Sequence, residues 1–197
     1  MSFNASLPQF ARFVRRHAGV LGLVVIVTGA LAVSLYSKPS DESKPSQMEK
    51  FITHEAARPL PDLRVENAQG EAVDFAAFEG DLLLVNFWAT WCAPCRKEMP
   101  QLDTLAARYQ DKNVTIITLS VDRAGAPKGE KFLNDLGVKH VTRLYDASYK
   151  SARAVGLIGL PTTLLLDKDG LEIGRLAGEA DWDAPEVHAL LDHHLND

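Results

Sequence analysis

The chain's only two cysteines, Cys92 and Cys95, stand where one hydrophobic pattern gives way to another. Upstream, Leu82–Trp88 is an apolar run broken only by Asn86, the pattern of a strand buried on both faces. Downstream, Met99, Leu102, Leu105 and Ala106 recur at helical spacing in a segment that begins at Ala93 or Pro94 and ends near Tyr109. The pair therefore joins the end of a strand to the first turn of a helix. Residues three apart on a helix share a face, so the two sulfurs can close or open a small ring with little backbone movement. Cys92 at the helix N-terminus meets unpaired N–H groups and the positive end of the helix dipole. Both favour the thiolate, the form that attacks another disulfide. Two rival uses are a zinc knuckle and a static cross-link. Zinc normally takes four ligands, and there is no second cysteine pair. A cross-link closing so short a loop stabilises little. The redox use is favoured.

The string Asn86-Phe87-Trp88-Ala89-Thr90-Trp91-Cys92-Ala93-Pro94-Cys95-Arg96-Lys97-Glu98-Met99-Pro100 resembles the thioredoxin superfamily and, over its full length, the TlpA group within it. Members of that group are thiol:disulfide reductases tethered to the outer face of the bacterial inner membrane. The resemblance covers about residues 58–195. It implies a thioredoxin-like α/β fold: a central mixed sheet flanked by helices, with an N-terminal hairpin. A second stretch, Gly159-Leu160-Pro161-Thr162-Thr163, resembles the family's cis-proline loop. Sequence alone does not give the isomer, since most X–Pro bonds are trans. In the family this loop faces the cysteines, and the backbone of Leu160 would pair with an extended client segment. Ala177-Gly178 resembles the glycine loop that shapes the same groove.

The resemblance thus implies Cys92 and Cys95 as catalytic residues and Trp91, Ala93, Pro94, Leu160, Pro161 and Gly178 as the substrate-binding surface. It implies no cofactor beyond the redox disulfide, and no metal. Glu98 is a third catalytic candidate. In the ResA group a Glu at this place is proposed as the acid–base group for the thiols, and a carboxylate three residues past Cys95 shares its helix face. The competing reading is an ordinary surface glutamate. Thioredoxin carries a buried Asp where this chain has Asn86. An amide cannot take up a proton, so Asn86 reads as a satisfied polar core residue. Arg96 and Lys97 read as solvated charges.

The rest of the chain frames this centre. Residues 1–17 carry Arg12, Arg15 and Arg16, and residues 18–36 are uncharged and long enough to cross a bilayer. The basic flank places residues 1–17 in the cytoplasm and everything after the span outside. Ala30-Leu31-Ala32 fits a signal cleavage site, but the apolar run continues past it, which favours a retained anchor. Residues 37–58 read as a flexible linker, rich in Ser, Pro and charge, with a short helix at Met48–Ala57 left open. Residues 59–197 form the thioredoxin-like domain. A hairpin of Leu63–Glu66 with Ala72–Phe75 opens it. Strand patterns at Val114–Val121, Leu144–Asp146, Leu164–Asp167 and Leu171–Leu176 follow, with helices at Pro127–Leu136, Ser148–Val155 and Pro185–Leu195. Their alternation predicts an α/β sheet. The net charge of −5 argues against a nucleic-acid partner. His188 and Asp192, four apart near His193 and His194, read as solvated rather than as metal ligands.

The expected activity is that of a periplasmic protein disulfide reductase. Cys92 attacks a client disulfide and Cys95 resolves the mixed disulfide. Ala93-Pro94 is closer to the Gly-Pro of reducing thioredoxins than to the Pro-His of the oxidant DsbA. The resemblance implies clients with copper-site cysteines, in a copper chaperone or an oxidase copper subunit. It also implies recharging by a transmembrane electron donor of the DsbD or CcdA type. One alternative is a CcmG-like reductase of apocytochrome c, a group that carries Glu where this chain has Thr162. Another is a copper-binding chaperone of the Sco type, which uses Cys-x-x-x-Cys and a distant His.

Overall fold

A computed structural model describes residues 47–78 and 82–195. The expected anchor at 18–36 and the linker up to residue 46 lie outside the described residues. Among those described, no helix is long and apolar enough to cross a membrane.

The buried strand before the cysteines is the centre of the sheet. Leu82–Trp88 (β4) is buried at every position. It pairs in parallel with Val114–Ser120 (β5) and antiparallel with Thr162–Leu166 (β7). Beyond β5 come Thr142–Tyr145 (β6), Val65–Glu66 (β2) and Ala72–Val73 (β3). Beyond β7 come Leu171–Ala177 (β8) and Phe51–Pro59 (β1). The sheet is mixed, as expected. Strands covered on both faces have no polar side to alternate, whereas β8 alternates between half-buried and buried positions.

Four α-helices pack around it among the described residues: Ala93–Tyr109 (α1), Ala126–Asp135 (α2), Lys150–Ala154 (α3) and Pro185–Leu195 (α4). α1 turns Cys95, Glu98, Met99, Leu102, Leu105, Ala106 and Tyr109 inward. The stripe read at helical spacing is its core face. Pro94 and Pro185 stand in first turns, where a missing N–H costs nothing. Gly137 and Gly156, at φ 73° and 68°, take up the left-handed backbone just past α2 and α3, where a side chain would be strained.

One expectation is corrected. The linker was expected to run to residue 58, but β1 already pairs with β8 from Phe51↔Leu176 to Pro59↔Leu171. Two contacts hold it. The Phe51 ring lies over Gly174, so close that a Cβ there would meet it at 2.6 Å. The His54 Nε2 lies 2.7 Å from Glu172 Oε1, and Arg175 grips both oxygens of Glu172 at 2.6 Å. Burial alone does not announce this strand, because it is an edge strand with most side chains in solvent.

Candidate active site

Sheet register builds the site. Phe87 on β4 stands opposite Thr162 on β7, and Thr162 stands opposite Ala177 on β8. The ends of these strands therefore bring three loops together: Ala89–Cys92, Gly159–Pro161 and the turn at Gly178. The Gly178 N–H donates to the Pro161 carbonyl at 2.9 Å, tying two of them. Thr162 lies immediately after Pro161, and its hydroxyl donates to the Gly159 carbonyl at 2.8 Å, bracing the same loop. The Leu160–Pro161 bond is cis.

Cys92 is the N-cap of α1 and Cys95 lies in its first turn; the two are joined in a disulfide. The Cys95 N–H donates to the Cys92 sulfur at 3.3 Å. That bond uses one of the helix's otherwise orphaned N–H groups, and it would also stabilise a Cys92 thiolate. The two sulfurs are not equivalent. Cys92 keeps 6% of its surface and Cys95 none. An incoming disulfide reaches Cys92 first, and Cys95 acts from beneath. Around them Trp91 is 65% exposed, Ala93 is exposed, Pro94 and Leu160 are half-buried and Pro161 is buried.

Glu98 is not a surface residue. It is 2% exposed. Its Oε1 accepts from the Ala180 backbone N–H at 2.8 Å and from the Trp182 indole N–H at 3.0 Å. Its Oε2 has no hydrogen-bond partner. Burial pushes the carboxyl up from 4.5 to about 7, against the pull of those donors and of the nearby Asn86 side chain. A carboxyl that is half-ionised near neutral pH, one turn beyond a buried cysteine, is equipped to hold and release that cysteine's proton. The residues that hold Glu98 lie far along the chain, past β8. Gln101 reinforces them by donating to Asp181 at 2.9 Å.

Asn86 departs from expectation in part. Its amide N–H donates to the Thr163 hydroxyl at 3.0 Å, but its oxygen is buried without a partner. It is a half-satisfied polar group in the core beside Glu98, rather than a fully satisfied one.

Sequence reasoning missed Asp122. It is 2% exposed, just after β5, and its carboxylate accepts from the Thr90 N–H at 2.7 Å and the Thr90 hydroxyl at 3.1 Å. It clamps the loop that presents Trp91 and Cys92. The signal was its place at the carboxyl end of a buried strand, where parallel sheets gather their functional loops. At the other end of the molecule, the Tyr109 hydroxyl donates to Asp192 at 2.9 Å and its ring stacks on His188 at 5.9 Å. That pair serves the packing of α1 on α4.

The Redoxin family model matches residues 55–191. The thiol-disulfide oxidoreductase ResA of Bacillus cereus is 32% identical over 165 residues, covering 80% of this chain and 85% of that protein. The thiol:disulfide interchange protein DsbE of Vibrio cholerae is 31% identical over 157 residues, covering 79% and 80%. Among solved structures, a secreted thiol-disulfide isomerase from Corynebacterium glutamicum superposes with a TM-score of 0.66 over 81% of this chain and 96% of that one, at 22% identity. That likeness bears on the fold alone.

Proposed function

Since this chain belongs to the Redoxin family and is a thiol–disulfide oxidoreductase of the ResA/DsbE type, we propose that it works as a reductant of client proteins on the outer face of the inner membrane. Residues 18–36 anchor it there, and its clients carry copper-site cysteines destined for cytochrome oxidase. The observation that carries the reductive cycle is the layering of Cys92 at the surface over buried Cys95 and buried Glu98.

The steps follow from that layering. The Cys92 thiolate attacks one sulfur of the client disulfide, and the other client sulfur leaves as a thiolate. The client strand lies against Leu160 and Pro161 with Trp91 and Gly178 at its flanks. Glu98, as carboxylate, takes the proton of the Cys95 thiol. The Cys95 thiolate attacks Cys92, the second client sulfur departs, and the proton returns to it through Glu98 or water. Two electrons have passed to the client, and Cys92–Cys95 is oxidised. A membrane electron carrier of the DsbD or CcdA type then reduces the pair. No prosthetic group or metal takes part.

The test is a trap. Full-length protein carrying Cys95→Ser stalls at the mixed disulfide, and the partners linked through Cys92 are identified. A copper chaperone or oxidase subunit supports the reading. Apocytochromes would move the client to haem-attachment cysteines, a broad mixture would remove the specific client, and no linked partner at all would remove the reductive role. Tight stoichiometric Cu(I) binding by the reduced full-length protein, without insulin reduction, would replace the enzyme with a copper-binding chaperone.

A further inference from the structure

At Trp91, the residue before Cys92, the surface opens into a cleft of about 780 Å³ lined by Trp91, Asp122, Arg123, Lys128, Tyr149 and Arg153 among others. The volume falls within the range of ~300–1,000 Å³ typical of ligand-binding clefts. It lies between the loop that follows β5 and helix α3, whose chain leads on through Gly156 to Pro161. It is separate from the buried Glu98 pocket.

The charges in it are one-sided. Asp122 is its only acidic lining residue, and that carboxylate is buried, engaged by Thr90, and 3.4 Å from Lys128 Nζ. Arg123 and Arg153 are exposed, and neither makes an ion pair with a described carboxylate. Arg153 is held in place instead, its guanidinium 5.9 Å from the Tyr149 ring centre and donating to the Ser148 carbonyl at 3.3 Å. Counting the Lys128–Asp122 pair as neutral leaves two cations facing solvent, in a chain whose overall charge is −5. A net-negative protein that gathers unpaired arginines beside its reactive sulfur has a local field opposite to its global one.

We propose that this cleft is a client-docking subsite for an acidic segment flanking the client's reactive cysteine. The inference rests on the reductive reading above. With the client sulfur joined to Cys92, the residues on its Trp91 side pass over the exposed indole and into the cleft. Trp91 and Tyr149 receive apolar carbon there, and Arg123 and Arg153 receive Asp or Glu carboxylates, for which the guanidinium fork is suited. Clients then differ in rate by what surrounds their disulfide as well as by its potential.

The experiment compares two disulfide-bonded peptides, identical except that one carries three Glu and the other three Gln beside one cysteine. Full-length reduced protein is assayed on both at low and high salt. Expected is a kcat/KM about three- to tenfold higher for the Glu peptide at low salt, seen mainly in KM and lost near 1 M salt, where screening shortens to about 3 Å. Arg123→Glu with Arg153→Glu should abolish or invert the ratio of the two peptides' kcat/KM, and an unchanged urea-unfolding midpoint shows that the variant is folded. Lys168→Glu, a charge reversal in the exposed turn between β7 and β8, at the end of β7 away from Pro161, should leave the preference intact. Equal rates for the two peptides, or a preference that survives the double reversal or falls equally with Lys168→Glu, overturns the cleft alone. Failure to reduce either peptide overturns the reductive reading with it.

Discussion

Replacing Glu98 by Gln should remove a pH dependence of stability that the buried carboxyl imposes. In the folded oxidised protein burial raises this group to about 7, and once exposed it ionises near its ordinary 4.5. Between those values the folded state keeps a proton that the unfolded state has released. The folded state is therefore favoured in full below pH 4.5, loses that advantage as pH rises through 7, and gains nothing further above it. A displacement of this size corresponds to about 3 kcal/mol, at 1.36 kcal/mol per pH unit. The glutamine amide keeps an oxygen to accept from Ala180 and Trp182, and it places a donor where Oε2 now has no partner. It imitates the protonated acid at every pH. Urea unfolding of oxidised wild type and Glu98→Gln at pH 5 and pH 8.5 gives the answer as a double difference, in which the other titrating groups cancel. The two proteins should be similar at pH 5, and the variant should be more stable by about 2–3 kcal/mol at pH 8.5. A gap between them that is the same at both pH values would refute the reasoning, because Glu98 would then titrate alike in both states.

Two other outcomes test the supports of the site. Asp122→Ala leaves the Thr90 N–H and hydroxyl without their acceptor; it should cost about 2–3 kcal/mol in urea unfolding and lower kcat/KM, and an unaltered unfolding midpoint with unaltered turnover would show that the clamp does not matter. Gly174→Ala drives a Cβ to 2.6 Å from the Phe51 ring and 2.9 Å from the Ile52 carbonyl; it should destabilise by about 1–3 kcal/mol and strip hydrogen-exchange protection from β1 while leaving peptide reduction unchanged, and full protection of β1 would contradict its placement on β8.

The parts legible in the sequence are those whose information is local. A continuous apolar run, a helical stripe and a Cys-x-x-Cys pair between them gave β4, α1 and the disulfide, and the starts of α1 and α4 follow from Pro94 and Pro185 in their first turns. Gly170, at φ 75°, closes the turn between β7 and β8 that Asp169-Gly170 predicts. The cis-proline loop was readable only through family resemblance. What was not legible depends on partners far away in the chain. β1 looked like part of the linker because its contacts, Gly174 and Glu172, lie more than a hundred residues on. Glu98 was poised between surface and core because its helix position fits either. The loop after β8, with Ala180 and Trp182, decides the matter by closing over it.

That closure also gives a reason for the amide at Asn86. A second carboxyl there, as thioredoxin has, would face Glu98 in the core, and two buried acids in contact cannot both ionise. One would stay protonated well above neutral pH. Asn86 carries no charge and has both kinds of hydrogen-bonding atom on one group. As placed, its amide N–H donates to the Thr163 hydroxyl, and the side chain favours the ionised form of Glu98. With the amide turned over, its oxygen would instead face a protonated Glu98. The unpartnered atoms Asn86 Oδ1 and Glu98 Oε2 are both acceptors, so a donor such as a carboxyl proton is what both lack. An amide at this position therefore suits either protonation state of Glu98, where a second carboxylate would not.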